Sequence, residues 1–391
     1  MAVDDVGERL QRARVVVGLS RGQVARALDI SRLDVARIEG GRRRVSATEL
    51  SRMARLYRKP SPRCLLEPAG APAIRHFRSD YRVDERDLMV IEEVGDWFDY
   101  YAWLEQAALG AQRYGFPTYP VPTGEPAEQG EHLALEERRR LGLGDDGCIP
   151  SMVELLEQEG VKVAVEAFHP RSPISGCYQF SEALGPCVIL NRRRHPALRR
   201  FAAAHEYAHL LTEREDLHGE VCLPSRREDP DEQRADAFAS AFLLPAAGIA
   251  AILGDLEGDD ADGEEAAGGE VTPGRVRFLS DEFGVSYHAV VTRLADLGWI
   301  GPDRHRYLER KARLPRHRLW TGESGVPGGA ETEPVRFRAV AVEAWHARRI
   351  STGRLADLLE MPSADVRLLL HRQALDPERS YRVPSAEPDR L

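Results

Sequence analysis

Two histidines four residues apart, with a glutamate directly after the first, form His205-Glu206-x-x-His209 inside the apolar run 202–211. A helix turns once in about 3.6 residues, so both imidazoles share one face while the Glu206 carboxylate stands one position round, beside them. Neutral imidazoles bind zinc well, and a neighbouring carboxylate is placed to take a proton from water at the ion. The spacing therefore reads as the heart of a zinc hydrolase site. His-Glu-x-x-His also arises by chance in buried helices, so its weight depends on the residues downstream. A second helical stretch, 231–244, is stopped by Pro245 and puts Glu232 and Asp236 on one face. Glu232 would complete a set of two histidines and one carboxylate with a position left for water, the composition of a catalytic zinc rather than a structural one. Asp236, one turn further on, would hold a ligand histidine through its second ring nitrogen.

These stretches resemble the ImmA/IrrE family of metallopeptidases, in which the His-Glu-x-x-His helix is followed by Glu-x-x-Ala-Asn/Asp-x-Phe-Ala-x-x-Leu-Leu-x-Pro. Here the second motif stands as Glu232-x-x-Ala235-Asp236-x-Phe238-Ala239-x-x-Phe242-Leu243-Leu244-Pro245. The resemblance implies that His205, His209 and Glu232 hold Zn2+ and that Glu206 is the general base. Many members carry Asn where this chain has Asp236. The likeness extends upstream through Ile174-Ser175-Gly176 and Asn191. The elements that must position the site read as helices near 131–141 and 150–159, followed by short strands at 161–165, 174–180 and 187–191. A small sheet of this kind can hold an extended substrate along its edge, and which strand is the edge stays open from sequence.

The amino-terminal region has a different chemistry. Residues 1–65 carry fifteen Arg and Lys against seven Asp and Glu, in a chain whose net charge is −9. Ser20-x-x-Gln23 and Ser46-x-x-Glu49 are capping boxes, and Ser31 is placed to start a helix between them. Apolar residues at helical spacing, including Leu10, Val24, Leu28, Val35, Ile38, Leu50 and Met53, supply a core for an all-α bundle. Helix 20–28, the turn Asp29-Ile30 and helix 31–39 have the helix-turn-helix layout, and residues 6–66 resemble the XRE (Cro/C1-type) repressors. That resemblance implies that the second helix enters the DNA major groove. Ser31, Arg32 and Asp34 would then reach bases, Asp34 by accepting from a cytosine amino group. Arg21, Arg42, Arg43 and Arg44 would touch phosphates, which fix position without reading sequence.

With 391 residues, 42% of them hydrophobic and 30% charged, the chain has material for several cores. It has no unbroken apolar run of about 18 residues and no charged-then-apolar leader, so a cytoplasmic protein with no membrane partner is expected. Five scattered cysteines without Cys-x-x-Cys spacing fit reduced thiols. The aromatic run Trp97, Phe98, Tyr100, Tyr101, Trp103 is interleaved with Asp96, Asp99 and Glu105, which oppose phosphate, so it reads as a packed helix face. Tyr287 and His288 are of a type that can serve an oxyanion, yet read as packing or surface residues.

The expected fold is multidomain, mainly α with an α+β core. It comprises a helix-turn-helix domain at 1–66, a helical connector and linker at 67–130, and a zincin-like α+β peptidase domain at 131–300 with an acidic loop near 255–270. A linker at 301–334, a helical module at 335–375 and a disordered tail at 376–391 complete the chain. The expected function is a DNA-binding regulator with a zinc-dependent endopeptidase domain, acting on a repressor or related protein in a stress or mobile-element response. Its expected partners are operator double-stranded DNA, a protein substrate and a second copy of the chain on DNA. A transcription factor that senses zinc or a small ligand without cutting, and an antitoxin-like binding protein, are the alternatives that sequence leaves open.

Overall fold

The computed structural model describes residues 4–17, 19–57, 65, 84–110, 116–213, 221–222, 229–255, 271–312, 334–359 and 361–375. These residues form a mainly helical protein with one small sheet. The head consists of α1 (Asp4–Val16), α2 (Arg21–Leu28), α3 (Arg32–Glu39) and α4 (Ala47–Leu56). Both capping boxes form, and the Ser31 hydroxyl caps α3 by accepting from the Asp34 N–H. Leu10, Val24, Leu28, Val35, Ile38, Leu50 and Met53 close into one core. Beneath it the buried Glu39 carboxylate accepts from both Arg14 and Arg21, tying α1 and α2 to the end of α3.

The long helix α5 (Glu85–Leu109) comes next, then α6 (Pro126–Arg140) and α7 (Met152–Gln158). α6 begins at Pro126, earlier than composition suggests, because a proline fits the first turn of a helix, where no N–H partner is needed. The strands are β1 (Lys162–Glu166), β2 (Gly176–Ser181), β3 (Gly185–Asn191) and β4 (Val221–Cys222), in the order β1-β3-β2-β4. β1 runs parallel to β3, while β2 is antiparallel to both β3 and β4. Successive strand residues face opposite ways. Val163, Val165, Tyr178, Val188 and Leu190 accordingly join the main core with α8 (Pro196–Thr212). Ala164, Cys177, Cys187 and Ile189 instead meet Ile91, Val94 and Phe98 of α5 on the other face.

After β4 come α9 (Pro230–Leu243), α10 (Ala246–Asp255), α11 (Pro273–Glu282), α12 (Tyr287–Asp296) and α13 (Pro302–Ala312). α13 corrects the expectation of a linker beginning at 301. Its basic, proline-containing sequence hides a proline at the first turn and a fully buried Leu308 on its inner side. The stretch Pro230–Gly254 is long and apolar enough to cross a membrane by length and composition, and half of it is buried. It is the α9–α10 pair, broken at Leu244-Pro245, with α9 packed on α6 and α8. Most of the acidic stretch near 255–270, residues 313–333 and the tail 376–391 lie outside the described residues.

Gly130 marks a close approach of α6 to α9. A Cβ there would come within 2.6 Å of the Phe238 N and 2.8 Å of the Ala237 Cβ. Gly130→Ala should therefore force the helices apart and destabilise the protein by about 1–3 kcal/mol, as overpacking does. Denaturant unfolding measures this, and an unchanged midpoint would show that the helices give way freely.

The carboxy-terminal helices are α14 (Arg336–His346), α15 (Thr352–Leu358) and α16 (Ser363–Leu375). They share a core with Tyr101 and Leu104 of α5, and the Phe337 ring packs on Trp97 and Tyr101. Trp97, Phe98 and Tyr101 of the aromatic run thus pack inward, whereas Trp103 is exposed. Beside it lies a buried ionic group. Glu105 pairs with Lys162 of β1 at 2.9 Å and with Arg336 of α14, and Lys162 also donates to the Leu184 carbonyl at 2.6 Å. Glu157 of α7 accepts from the Val335 and Arg336 N–H groups, each at 3.0 Å, and so caps α14 from another helix. Exposed pairs, Arg12 with Glu92 and Arg55 with Asp357, join the head to α5 and α15, and pairs of this kind contribute little energy.

Candidate metal centre

Pro196 opens α8 at its first turn, and Ala202, Ala203, Ala204 and Ala208, all buried, let that helix press against the sheet and α9. Small side chains on its inner face leave room for the imidazoles. His205 and His209 stand one turn apart, and Glu232 reaches them from the first turn of α9. Their ligand atoms lie within 4.8 Å of one another. His205 Nε2 and His209 Nε2 are 3.1 Å apart, and the Glu232 carboxylate oxygens lie 3.3 Å and 3.7 Å from them.

Each ring is oriented through its other nitrogen. His205 Nδ1 meets Asp236 Oδ1 at 2.9 Å, and His209 Nδ1 meets Glu213 Oε1 at 2.8 Å. Carboxylates accept, so both Nδ1 atoms carry the proton in neutral rings, and two Nε2 lone pairs converge on one point beside a carboxylate. Such a convergence is settled by a positive charge, either a proton on an Nε2 or a metal ion. Bonds of about 2.0–2.2 Å at tetrahedral angles place ligand atoms about 3.3–3.5 Å apart, and the three separations of 3.1, 3.3 and 3.7 Å bracket that spacing. The donor set therefore fits zinc.

The electrostatics agree with the geometry. Burial works against charge on His205, but hydrogen bonds to Asp236 and Glu232 and the charge of Glu206 outweigh it and push the ring up to about 10. A site that so favours positive charge is one a metal ion can take over. Glu206 is 5% exposed; its burial, only partly offset by His205 and His209, lifts the carboxyl to about 7. Burial would also raise Glu213, yet its hydrogen bonds with His209 and Tyr178 and the charge of Arg234 hold it at about 2. Gly176 opens β2 against Glu206, and a Cβ there would lie 2.9 Å from Glu206 Oε1 and 3.0 Å from its Cγ. A glycine at this position leaves the carboxylate its place.

Glu213, Tyr178 and Arg234 escaped the sequence reading of the site, and Gly176 entered it only through the family likeness. Glu213 had a signal, four residues beyond His209, the next step of the same helical spacing. Tyr178 stacks flat on the His209 ring, 3° from parallel with centroids 4.9 Å apart, a contact between strand and helix that carries no sequence pattern. His288 is exposed and pairs with Glu309 at 2.8 Å.

In the head, the seven residues expected at DNA fall into two groups. Arg32, Arg42 and Arg44 are exposed. Arg21 is instead bound to Glu39 at 2.7 Å and Arg43 to Glu49 at 2.6 Å. Ser31 and Asp34 are bound to each other, the hydroxyl donating to the Asp34 carboxylate at 2.7 Å. That hydrogen bond and the neighbouring Arg43 and Arg37 hold the Asp34 carboxyl low despite partial desolvation. Leu33, 58% exposed, and Arg37 share the face of α3 opposite the buried Val35 and Ile38.

Comparison with known proteins gives two matches. Residues 156–295 match a peptidase family model described as the IrrE N-terminal-like domain. Residues 5–63 match the model of a helix-turn-helix domain. No curated protein matches the chain.

Proposed function

From a chain that carries a helix-turn-helix domain followed by an IrrE-like peptidase domain, we propose a cytoplasmic transcriptional regulator that binds operator DNA and cleaves a regulatory protein by zinc-dependent hydrolysis. The observation that carries the reading is the convergence of His205 Nε2, His209 Nε2 and the Glu232 carboxylate beside a buried Glu206. His205, His209 and Glu232 hold the metal, and Asp236 and Glu213 fix the two rings. A bound zinc supplies Lewis acidity toward a peptide carbonyl and a lowered pKa for water. Glu206 takes the proton on its carboxylate and returns it to the leaving amide nitrogen. Gly176 keeps that carboxylate aimed. β2, which carries Gly176 and among the described residues pairs with β4 at Tyr178 and Gln179, is the strand along which an extended substrate lies.

We divide the chain into head, connector, peptidase body and carboxy-terminal module; the head and the peptidase body each have a core of their own, while the connector helix α5 shares one core with the sheet and another with the carboxy-terminal helices. A repressor akin to the protein's own head is the substrate, and a homodimer sits on DNA through two half-sites. Zinc content measured first, then incubation with candidate repressors, tests this. A stoichiometric metal and a defined cut are expected. A fully loaded protein that leaves every candidate intact removes the peptidase claim.

On DNA, Arg32, Arg42 and Arg44 reach the duplex from the exposed side of α3 and the turn after it, while Leu33 and Arg37 face the base edges. Arg37→Ala should reduce discrimination between operator and mismatched duplex by about 1–3 kcal/mol, whereas Arg44→Ala should weaken both equally and lower the salt slope by about one. Titrations at several salt concentrations separate the two. Equal behaviour of the variants would place the α3 face elsewhere than in the groove.

A further inference from the structure

Taking the metal reading as its premise, we infer that Arg234 and Glu213 form a clamp setting the spacing of the two helices that bear the metal-binding side chains, with Arg234 a positioning residue for His209 and Glu232 together. His209 belongs to α8 and Glu232 to α9, so the site exists only where these helices keep their register. Glu213 is the first residue after α8. Its Oε1 accepts from His209 Nδ1 at 2.8 Å and from Arg234 Nη2 at 3.1 Å, and its Oε2 accepts from the Tyr178 hydroxyl at 2.8 Å.

Arg234 stands two residues beyond Glu232 on α9 and is 4% exposed. Its Nη2 also donates to Asp231 at 2.6 Å on the same helix, and its Nη1 reaches Gln129 of α6 at 3.4 Å. One guanidinium thus binds the helix of Glu232, the carboxylate that orients His209, and a third helix behind them. The planar fork of arginine fixes direction as well as distance, which a flexible ammonium does not. With Tyr178 stacked on the His209 ring, that imidazole has its plane set by β2, its Nδ1 set by Glu213, and its distance from Glu232 set by Arg234. His205 is oriented separately by Asp236, outside the clamp.

Partners that orient metal ligands typically change metal affinity by about 10–100-fold when removed. The experiment is competition for Zn2+ alone between a chromogenic chelator and the full-length protein. Wild type is compared with Arg234→Met, Glu213→Gln and the double variant, with thermal unfolding of each metal-free form in parallel. Each single change should weaken zinc binding about 10–100-fold, the double change should weaken it no further than the worse single, and Arg234→Lys should recover part of the loss. Should Arg234→Met fail to fold, Tyr178→Phe, which removes only the hydroxyl that donates to Glu213, should still weaken binding several-fold. Wild-type affinity in the folded single variants, with only a lower unfolding temperature, would reduce the pair to a structural contact and overturn the clamp. So would additive losses in the double variant. A wild type that binds no zinc would instead remove the metal reading on which the clamp rests.

Discussion

Glu206→Gln should keep its zinc and lose turnover, with kcat lower by about 10²–10⁴-fold, the span that loss of a general base covers. The carboxylate lies outside the set formed by His205, His209 and Glu232, so the amide leaves the metal ligands untouched. Glutamine matches glutamate in shape and still fits beside Gly176, but its amide oxygen cannot take up the proton. KM should move little, because the change acts on proton transfer rather than on substrate contacts. Metal content and steady-state kinetics on one purified substrate measure both quantities. Loss of zinc together with activity would assign Glu206 to the metal instead, and unchanged kcat would remove it from the chemistry.

The largest effect on stability is expected outside the candidate metal centre. Glu105→Ala should destabilise the protein by about 3–5 kcal/mol and release α14 from α5. Glu105 and Lys162 are both fully buried, and Glu105 is the shared partner of Lys162 and Arg336. Deleting the carboxylate strands two cations inside the protein. Burial already lowers the Lys162 pKa, with the Glu105 charge among the influences that raise it. Without that carboxylate the ammonium loses its nearest counter-charge, and α14 loses its anchor to β1. Glu105→Gln, which keeps the shape and half of the hydrogen bonds, should cost less than Ala. Denaturant unfolding gives the energies, and hydrogen exchange across 336–346 reports the release. A small loss with α14 still protected would mean that the Phe337 packing alone holds the module.

The histidines were legible because their relation is local: a four-residue spacing fixes a common helix face whatever the rest of the fold does. Glu232 was legible only through a second motif, since nothing in periodicity says which helix will meet His205 and His209. Tyr178 and Arg234 were not legible, because their contacts with the His209–Glu213 pair arise when a strand, a helix end and another helix pack together. The head divides in the same way. Ser20, Ser31 and Ser46 were readable as caps, each acting within three residues, whereas the pairing of Arg21 with the distant Glu39 could not be seen. In the segment after 301 composition misled, since basic residues and proline suggested a linker while the buried Leu308 and the proline-started turn made α13.

The central claim, that this site cuts protein, is tested most directly by mapping new amino termini in a native extract treated with the zinc-loaded protein or with its Glu206→Gln variant. Discrete new termini in one or a few regulatory proteins, present with the wild type and missing with the variant, are the predicted result. Identical terminus maps from the two, with zinc bound stoichiometrically in both, would contradict it.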